Sequence, residues 1–206
     1  AEVFDVASTV VAVKYEGELN IDPTPVLDHD LDNKFIVPLA KKEYGAKAEM
    51  HRITPIIDHP GVSEPDWEEF ACGFSNLDAT VSWEYDLYEE NRFCINVEYA
   101  NLTGRKLNAI IKVGGKIHKL ELQPTNSKTN PWSMFTLITS GSEVLEPGTG
   151  QAISFKLDKD NALEDLDEMY VTPIMRETGL KKFMFKSVIL KPFYPLPYEG
   201  FSYKTK

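Results

Sequence analysis

The stretch "KLNAIIKVGGKIHKLEL" (Lys106 to Leu122) predicts two β-strands joined by a tight turn. On each side of Gly114-Gly115 apolar residues recur at every second position, which is typical of a strand with one buried face. A two-residue hairpin turn of the primed type needs positive φ, which glycine adopts without steric cost. The stretch therefore predicts an antiparallel hairpin.

Five further stretches show strand-like patterns and are separated by turn signals. They are "TVSWEYDLY" (80–88), "RFCINVEYA" (92–100), "FTLIT" (135–139), "QAISFKL" (151–157) and "KFMFKSVILK" (182–191). Short strands at this spacing are typical of two antiparallel sheets packed face to face. The sequence therefore predicts an all-β fold, an antiparallel β-sandwich.

The N-terminal half is less regular. The stretch "DPTPVLDHDLDN" (22–33) is predicted to be a loop, because its prolines block ladder hydrogen bonds. The stretch "LAKKEYGAKAEM" (39–50) has short helical character interrupted by Gly45, and the Pro-rich "TPIIDHPGVSEPDW" (54–67) is predicted to be irregular. No internal repeat or long linker divides the chain, so we expect a single domain over residues 1–206.

Composition excludes some classes of function. The formal net charge is -10, which argues against nucleic acid as the main partner, because neutralising phosphates needs clustered Lys and Arg. No apolar run is long enough to cross a bilayer, so no membrane span is expected. The opening "AEVFDVAS" lacks the basic region that begins a signal peptide.

Two features are consistent with secretion. The alternation in "RFCINVEYA" places Cys94 on the polar face of its strand, where a thiol is a better candidate for pairing than for core packing. A Cys72–Cys94 disulfide, set against two free thiols, would imply an oxidising compartment. The sequon "NLT" (Asn101 to Thr103) follows a predicted strand and suits a surface turn. We therefore expect an extracellular protein.

Candidate metal-ligating residues cluster in one acidic loop, "DKDNALEDLDE" (158–168). It offers several oxygen ligands of the kind that calcium prefers, including Asp158 and Asp160. It departs from the EF-hand template, because Ala162 and Leu163 occupy a ligand position and the glycine position. A solvated acidic loop is the alternative. His118, within the hairpin, is predicted to be partly buried with a hydrogen-bond partner.

Motifs of catalysis are lacking in this sequence. It contains no Gly-x-Ser-x-Gly elbow, no phosphate-binding loop and no dinucleotide fingerprint. Glycosidases need two carboxylates across a cleft, and a chain this acidic always offers arbitrary pairs. The sequence therefore does not predict an enzyme.

In their order along the chain, these features resemble the carbohydrate-binding modules of families 6 and 35. The resemblance covers about residues 72–191 and rests on "CGF" (72–74), "ATVSWEYDL" (79–87), "INVEYAN" (95–101), "IKVGGK" (111–116), "NPWSMF" (130–135) and "LEPGTGQAISFKL" (145–157). The opening "AEVF" (1–4) is similar to the first strand of that family. The resemblance implies a galactose-binding-like sandwich of jelly-roll type, with a non-catalytic glycan site in the loops at one end.

The resemblance also implies the site residues. Phe74 and Trp132 match the two aromatic residues that clamp a sugar ring. We expect Asn130, and Lys181 or Lys182, as polar contacts, although the lysines stand where the family often presents an Asn. Flat aromatic rings bind the apolar C–H faces of a pyranose, while polar groups orient its hydroxyls. Trp132 also has a plainer interpretation, as a plug that packs on the sandwich.

The sequence departs from the family pattern at two positions. Phe74 stands where a Tyr is usual, and Lys186 stands at the position of an Asp that often binds a structural calcium ion. The family's calcium site near Glu2 is therefore in doubt, and calcium is the one cofactor that we consider.

An alternative function is a structural or adhesion protein that binds another protein or itself. It would use the long N-terminal half and the aromatic tail "KPFYPLPYEGFSY" (191–203), whose composition suits an extended strap. We take residues 192–206 as this tail.

Overall fold

The computed structural model describes residues 24–52, 67–125, 135–161, 165–168 and 181–193. The described chain contains eleven strands and one short 3₁₀ turn over Val37–Leu39. The strands are β1 (Asn33–Ile36), β2 (Lys41–Glu43), β3 (Lys47–Arg52), β4 (Trp67–Cys72), β5 (Thr80–Leu87), β6 (Asn91–Asn101), β7 (Leu107–Val113), β8 (Lys116–Leu122), β9 (Thr136–Leu145), β10 (Gly148–Leu157) and β11 (Phe183–Pro192).

The strands form two antiparallel sheets. The first has the order β3-β4-β11-β6-β9, with β1 also paired to β11, and the second has the order β2-β5-β10-β7-β8. The predicted all-β sandwich is therefore confirmed. The predicted hairpin is also confirmed, because Val113 pairs with Lys116 across Gly114 and Gly115, whose φ angles are 54° and 78°.

Apolar side chains from both sheets meet in one core. In β5 the alternation predicted from sequence is observed, because Val81, Trp83, Tyr85 and Leu87 are all buried. Phe155 of β10 stacks on Phe185 of β11 with ring centroids 4.2 Å apart, so aromatic contacts join the two sheets. Such pairs add to the hydrophobic gain from burial.

The predicted helical character of residues 39–50 is wrong. This stretch forms β2 and β3, separated by a turn in which Tyr44 and Gly45 have φ angles of 56° and 101°. β2 pairs with β5 in the second sheet and β3 pairs with β4 in the first, so this turn carries the chain from one sheet to the other. Strand partners distant in sequence thus override a weak local helix propensity.

The structure contradicts the proposed Cys72–Cys94 disulfide, because both cysteines are free. Cys72 lies in β4 and Cys94 in β6, and β11 lies between these two strands. The two strands are therefore about 9–10 Å apart across the sheet. The cysteines also lie at opposite ends, since Ala71 pairs with Phe185 whereas Cys94 pairs with Lys191. A disulfide needs Cα atoms within about 7 Å.

Cys72 is not poised for other thiol chemistry either. Its side chain is fully buried, and burial, followed by the nearby Glu49 carboxylate, raises the pKa of its thiol to about 12. The thiolate is the reactive form, so Cys72 is expected to be inert at neutral pH.

The sequon does not lie in a surface turn as predicted. Asn101 is fully buried, and its Nδ2 donates to the carbonyl oxygens of Arg105 and Leu122 at 2.8 and 3.0 Å. Its Oδ1 accepts from the Thr103 hydroxyl at 2.7 Å. The atom that would carry a glycan is therefore used to join the β6–β7 connection to β8.

Candidate functional site

The described parts of four connections lie at one end of the sandwich, which we call the loop end. They are residues 73–79, 102–106, 123–125 with 135, and 158–161 with 165–168 and 181–182. The strand register places them together, because Phe183 pairs with Asn101, Tyr99 with Thr136, and Lys156 with Thr80. Phe74, Lys181, Lys182, Asp158 and Asp160 all belong to these connections. Asn130, Trp132 and Glu2 lie outside the described residues.

The expectation that Phe74 stacks on a sugar is wrong for this conformation. Its side chain is 1% exposed, and its ring makes edge-to-face contacts with Phe183 at 5.2 Å and Phe155 at 5.9 Å. Without the hydroxyl of the usual tyrosine, this side chain gains most by joining the core. Phe74 therefore supports the loop end from below.

Lys181 and Lys182 are both engaged in ion pairs. Lys181 Nζ lies 3.4 Å from Glu49 Oε2, and Lys182 Nζ lies 2.7 Å from Glu168 Oε2. Their side chains are 17% and 27% exposed. A ligand would have to compete with these carboxylates for either ammonium group.

Two acids of the acidic loop hold a neighbouring connection. Asp167 accepts hydrogen bonds from the backbone N–H groups of Gly73 at 2.5 Å and Ser75 at 3.2 Å. The Ser75 hydroxyl donates to Asp165 Oδ1 at 3.0 Å. These hydrogen bonds hold the start of the β4–β5 connection against the acidic loop. Asp165 and Asp167 therefore have a structural role.

Asn161 closes the β10 side of the same loop. Its Nδ2 donates to the carbonyl oxygen of Asn108 at 2.7 Å, and its Oδ1 accepts from the N–H of Asn108 at the same distance. Asp158 and Asp160 lie beside Glu121 around a cavity of about 290 Å³. Within the described parts of the chain, no three His, Cys, Asp or Glu residues form a group able to hold a metal ion. Calcium binding at Asp158 and Asp160 stays a prediction.

A cavity of about 340 Å³ opens at the loop end between the two sheets' edges. Its lining consists of Tyr99 and residues 123–125 and 135–138. The Tyr99 hydroxyl donates to the carbonyl oxygen of Gln123 at 3.2 Å, and burial raises the pKa of this hydroxyl. Thr125 and Phe135, which flank residues 126–134 in the sequence, both line this cavity.

Phe135, a residue that the sequence did not single out, lines the loop-end cavity and packs against the buried cluster of Phe70, Cys72, Ala100, Leu102 and Met184. Lys186 Nζ lies 5.1 Å from the centroid of this ring and 3.1 Å from Glu98 Oε1. Glu98 also binds Lys34 at 3.2 Å and accepts a hydrogen bond from Ser187 at 2.8 Å. The alternation in β6 had placed Glu98 on the polar face, but only the sheet order brings Lys34 and Lys186 to it.

These contacts predict a pH dependence of stability. Burial opposes ionisation of Glu98, but the Ser187 hydroxyl, Lys186 and Lys34 outweigh it and lower the pKa of this carboxyl. A lowered folded-state pKa contributes stability above the unfolded pKa, and this stability is lost as pH falls through the folded value. Glu98→Gln should cost about 1 kcal/mol of unfolding free energy at pH 7. The difference should shrink below pH 4.5, the ordinary value for this group.

Denaturant unfolding of both proteins between pH 3 and pH 7 checks this prediction. Glu84→Gln is the control, because the Glu84 side chain is exposed. A pH-independent difference for Glu98→Gln would contradict the assigned role of the charge.

A larger groove of about 440 Å³ lies between β1 and β5, with Trp83, Phe35 and Leu39 among its lining. Trp83 Nε1 already donates to the carbonyl oxygen of Ile36 at 2.9 Å. The Asn33 amide at its rim is likewise bonded to Asp28 and Leu31. Polar groups of the loop-end cavity are paired as well, Gln123 with Glu121 and Thr125 with Asn101. We take the loop-end cavity as the candidate site because the resemblance places a glycan site in the loops at one end of the sandwich.

His118 does not have the hydrogen-bond partner that was expected. Its Nε2 is buried without a hydrogen bond, and the nearest carboxylate oxygen, Glu143 Oε1, lies 3.7 Å away. Glu143 is instead bound by Lys116 at 2.7 Å, and this pair joins the edge strands β8 and β9 of the two sheets.

In the described portion of the chain, no helix has the length and apolar character that a membrane span requires. No family model matches the chain, and no curated protein matches it.

Solved structures do match the fold. A family 35 carbohydrate-binding module from Clostridium thermocellum aligns with a TM-score of 0.51 and 11% identity, over 78% of this chain and 97% of the module. A β-1,3-glucan-binding family 6 module from Bacillus halodurans aligns with a TM-score of 0.50 and 12% identity, over 82% of this chain and 98% of the module. The chain therefore shares the fold of these modules, as its sequence features implied.

The mosquito-larvicidal Cry4Aa toxin from Bacillus thuringiensis also contains this fold. It aligns with a TM-score of 0.55 and 12% identity, over 85% of this chain but only 26% of the toxin. At such identities the likeness establishes the architecture alone, and function has to be argued from the site.

Proposed function

We propose that this protein is a non-catalytic carbohydrate-binding module that binds a glycan at the loop end. The observation that carries the proposal is the loop-end cavity of about 340 Å³, whose lining includes Thr125 and Phe135, the described residues on either side of the sequence 126–134. A cavity of this size lies within the range of small-ligand sites, and it accommodates one or two sugar rings.

The chemistry of the cavity suits a sugar. Its lining combines apolar residues, among them Phe135 and Leu137, with the polar residues Gln123, Thr125 and Thr136. A sugar hydroxyl would have to compete with the bonds that Gln123 makes to Glu121 and Thr125 makes to Asn101. Trp132 is proposed as the main stacking platform and Asn130 as a polar contact. Lys181 and Lys182 would contribute only by exchanging their carboxylate partners.

The fold supports the same proposal, because modules of families 6 and 35 share it, one of them described as binding β-1,3-glucan. Such modules act outside cells, so we also propose an extracellular location. Structural calcium at Asp158, Asp160 or Glu2 belongs to the proposal as an option that chelation tests.

The test is binding of the purified protein to a glycan array that includes β-1,3-glucan, with calcium and again with a chelator. Trp132→Ala should weaken a specific hit at least tenfold, because a stacked aromatic ring typically contributes about 1.4 kcal/mol or more. Trp132→Phe keeps an aromatic ring and is the matched control, which should retain most of the affinity. Hits that are equal in all three proteins would contradict a stacking role.

An array without hits from a folded protein would favour the structural or adhesion alternative. That alternative predicts an oligomer in solution, and loss of the oligomer when residues after Pro192 are removed. Arg92 lies over the Phe193 ring at 5.5 Å, so removing the residues after Pro192 also removes this contact, and truncation after Phe193 is the control that keeps it.

A further inference from the structure

The outer faces of the two sheets differ. On the first sheet, this face carries a buried apolar cluster of five residues: Phe70, Cys72, Ala100, Leu102 and Met184. On the second sheet, the outer face is made by residues of β5, β10, β7 and β8 that alternate with core residues, and Lys112, Ile117 and Lys119 are exposed there. The second sheet therefore presents an open surface.

Three lysines are grouped on this open surface. Lys156 of β10 pairs with Ile110 of β7, and Ile110 pairs with Lys119 of β8. Lys112 follows Ile110 by two positions and therefore lies on the same face. Strand spacing places Lys156 and Lys119 about 9–10 Å apart, and Lys112 lies diagonally about 7–8 Å from each. The three lysines thus leave the sheet around one half-buried isoleucine.

These lysines lack the partners that the others have. Within the described parts of the chain, Lys112, Lys119 and Lys156 are the lysines that make neither an ion pair nor a hydrogen bond. Every other described lysine binds a carboxylate, apart from Lys42, whose Nζ donates to two backbone carbonyl oxygens. The chain has 32 acidic residues against 22 Lys and Arg, so carboxylates are not scarce. A lysine group without them is available to an anionic ligand.

The nearest acids stand at the edge of the group. Glu121 of β8 is bound by Lys106 at 2.6 Å. Asp158 and Asp160 share a cavity with Lys119 at the loop end of the face. These acids confine the positive region to the centre of the sheet.

The donors on this face suit a sulfate ester carried by a sugar. An ammonium group is a point charge that binds a tetrahedral oxyanion from any side, whereas planar carboxylates are matched by the fork of an arginine. The strands of the second sheet contain no arginine. Lys112 pairs with Ser154, which pairs with Ser82, so hydroxyl donors lie beside it, and Ile110 offers apolar surface to a sugar ring.

We propose that the outer face of the second sheet binds a sulfated polysaccharide through Lys112, Lys119 and Lys156. The spacing of the three lysines suits a polymer with one charge on every sugar or every second sugar. The net charge of -10 repels a polyanion at long range, so binding depends on this local group. None of the three lysines lines the loop-end cavity, so this surface is additional to the glycan site proposed there.

The test measures binding of the full chain to three polymers with one backbone: dextran sulfate, carboxymethyl-dextran and dextran. Dextran sulfate should bind about tenfold more tightly than carboxymethyl-dextran. Lys112→Gln and Lys119→Gln should each raise its Kd about three- to tenfold, while Lys112→Arg keeps the charge and most of the affinity. Lys191→Gln is the control for loss of one positive charge, since Lys191 lies on β11 of the first sheet.

A stability measurement separates binding from folding. Lys112→Glu should abolish binding of dextran sulfate without lowering Tm, because Lys112 loses no described partner and a like charge beside Lys119 and Lys156 is removed. A Tm that falls together with binding would make Lys112 a structural residue and overturn the inference.

Further outcomes are decisive. Equal Kd values in the Lys112, Lys119 and Lys191 variants overturn the inference, and so does equal affinity for the sulfated and carboxymethylated polymers. Tighter binding of double-stranded DNA than of dextran sulfate overturns it in favour of nucleic acid. Dextran sulfate binding should be unchanged in Trp132→Ala, so failure of the loop-end proposal and failure of this one are distinguishable.

Discussion

Gly73→Ala should strongly destabilise the protein, because two separate costs fall on one residue. Gly73 has a φ of +96°, which side-chain-bearing residues rarely adopt, and an added Cβ would lie 1.9 Å from the carbonyl oxygen of Gly45. The obstructing atom is backbone, in the turn that carries the chain between the sheets, so it cannot rotate away. We expect a loss of about 3–5 kcal/mol of unfolding free energy.

Gly104→Ala is the matched control for this change. Gly104 also has positive φ, +77°, but nothing lies within 4 Å of the position that its Cβ would take. It should therefore show only the conformational cost, about 1 kcal/mol. Thermal and denaturant unfolding measure both variants. Equal losses would mean that the contact between Gly73 and Gly45 carries no energetic weight.

Asn101→Asp should be about as costly. The substitution replaces the Nδ2 donor with a carboxylate oxygen that faces the carbonyl oxygens of Arg105 and Leu122. Asn101 is fully buried, so the new charge would be neither solvated nor paired. Leaving a buried charge uncompensated costs about 3–5 kcal/mol. Protonation of the new carboxyl at low pH should recover part of this loss.

Denaturant unfolding at pH 7 and pH 4 checks this expectation. Asn108→Asp is the control, because the Asn108 side chain is exposed, and a surface change of this kind costs within about 0.5 kcal/mol. Equal stability of the two aspartate variants would contradict the role assigned to Asn101. The same burial leads us to expect no glycan on Asn101 of the folded protein after secretory expression.

Strand positions were predictable because alternation reports burial locally. In β6 the pattern separated Phe93, Ile95 and Val97, which are buried in the core, from Cys94 on the opposite face. The helical character expected near Gly45 was wrong, because β2 pairs with β5 and β3 pairs with β4, and neither partner strand is adjacent in sequence. Local propensity had no access to those partners.

The candidate site was predictable in place but not in membership. The resemblance placed it in the loops at one end, where Phe74, Lys181 and Lys182 do lie, and the acidic loop added Asp158 and Asp160. Phe74 is buried, and Phe135, which lines the cavity, was not nominated. Both differences depend on which side chains fill the space between the sheets, and that space exists only after the sheets pack.

By itself, the sequence determined the two-residue turn at Gly114-Gly115, the faces of the strands and the acidic character of the protein. These are properties of neighbouring residues, set by φ, by side-chain alternation and by charge. Only the tertiary structure decided that Asn101 is buried, that Gly73 contacts Gly45 and that Glu98 meets two lysines. Each of these joins residues far apart in the chain, and such contacts are set by strand order and sheet packing rather than by any short stretch.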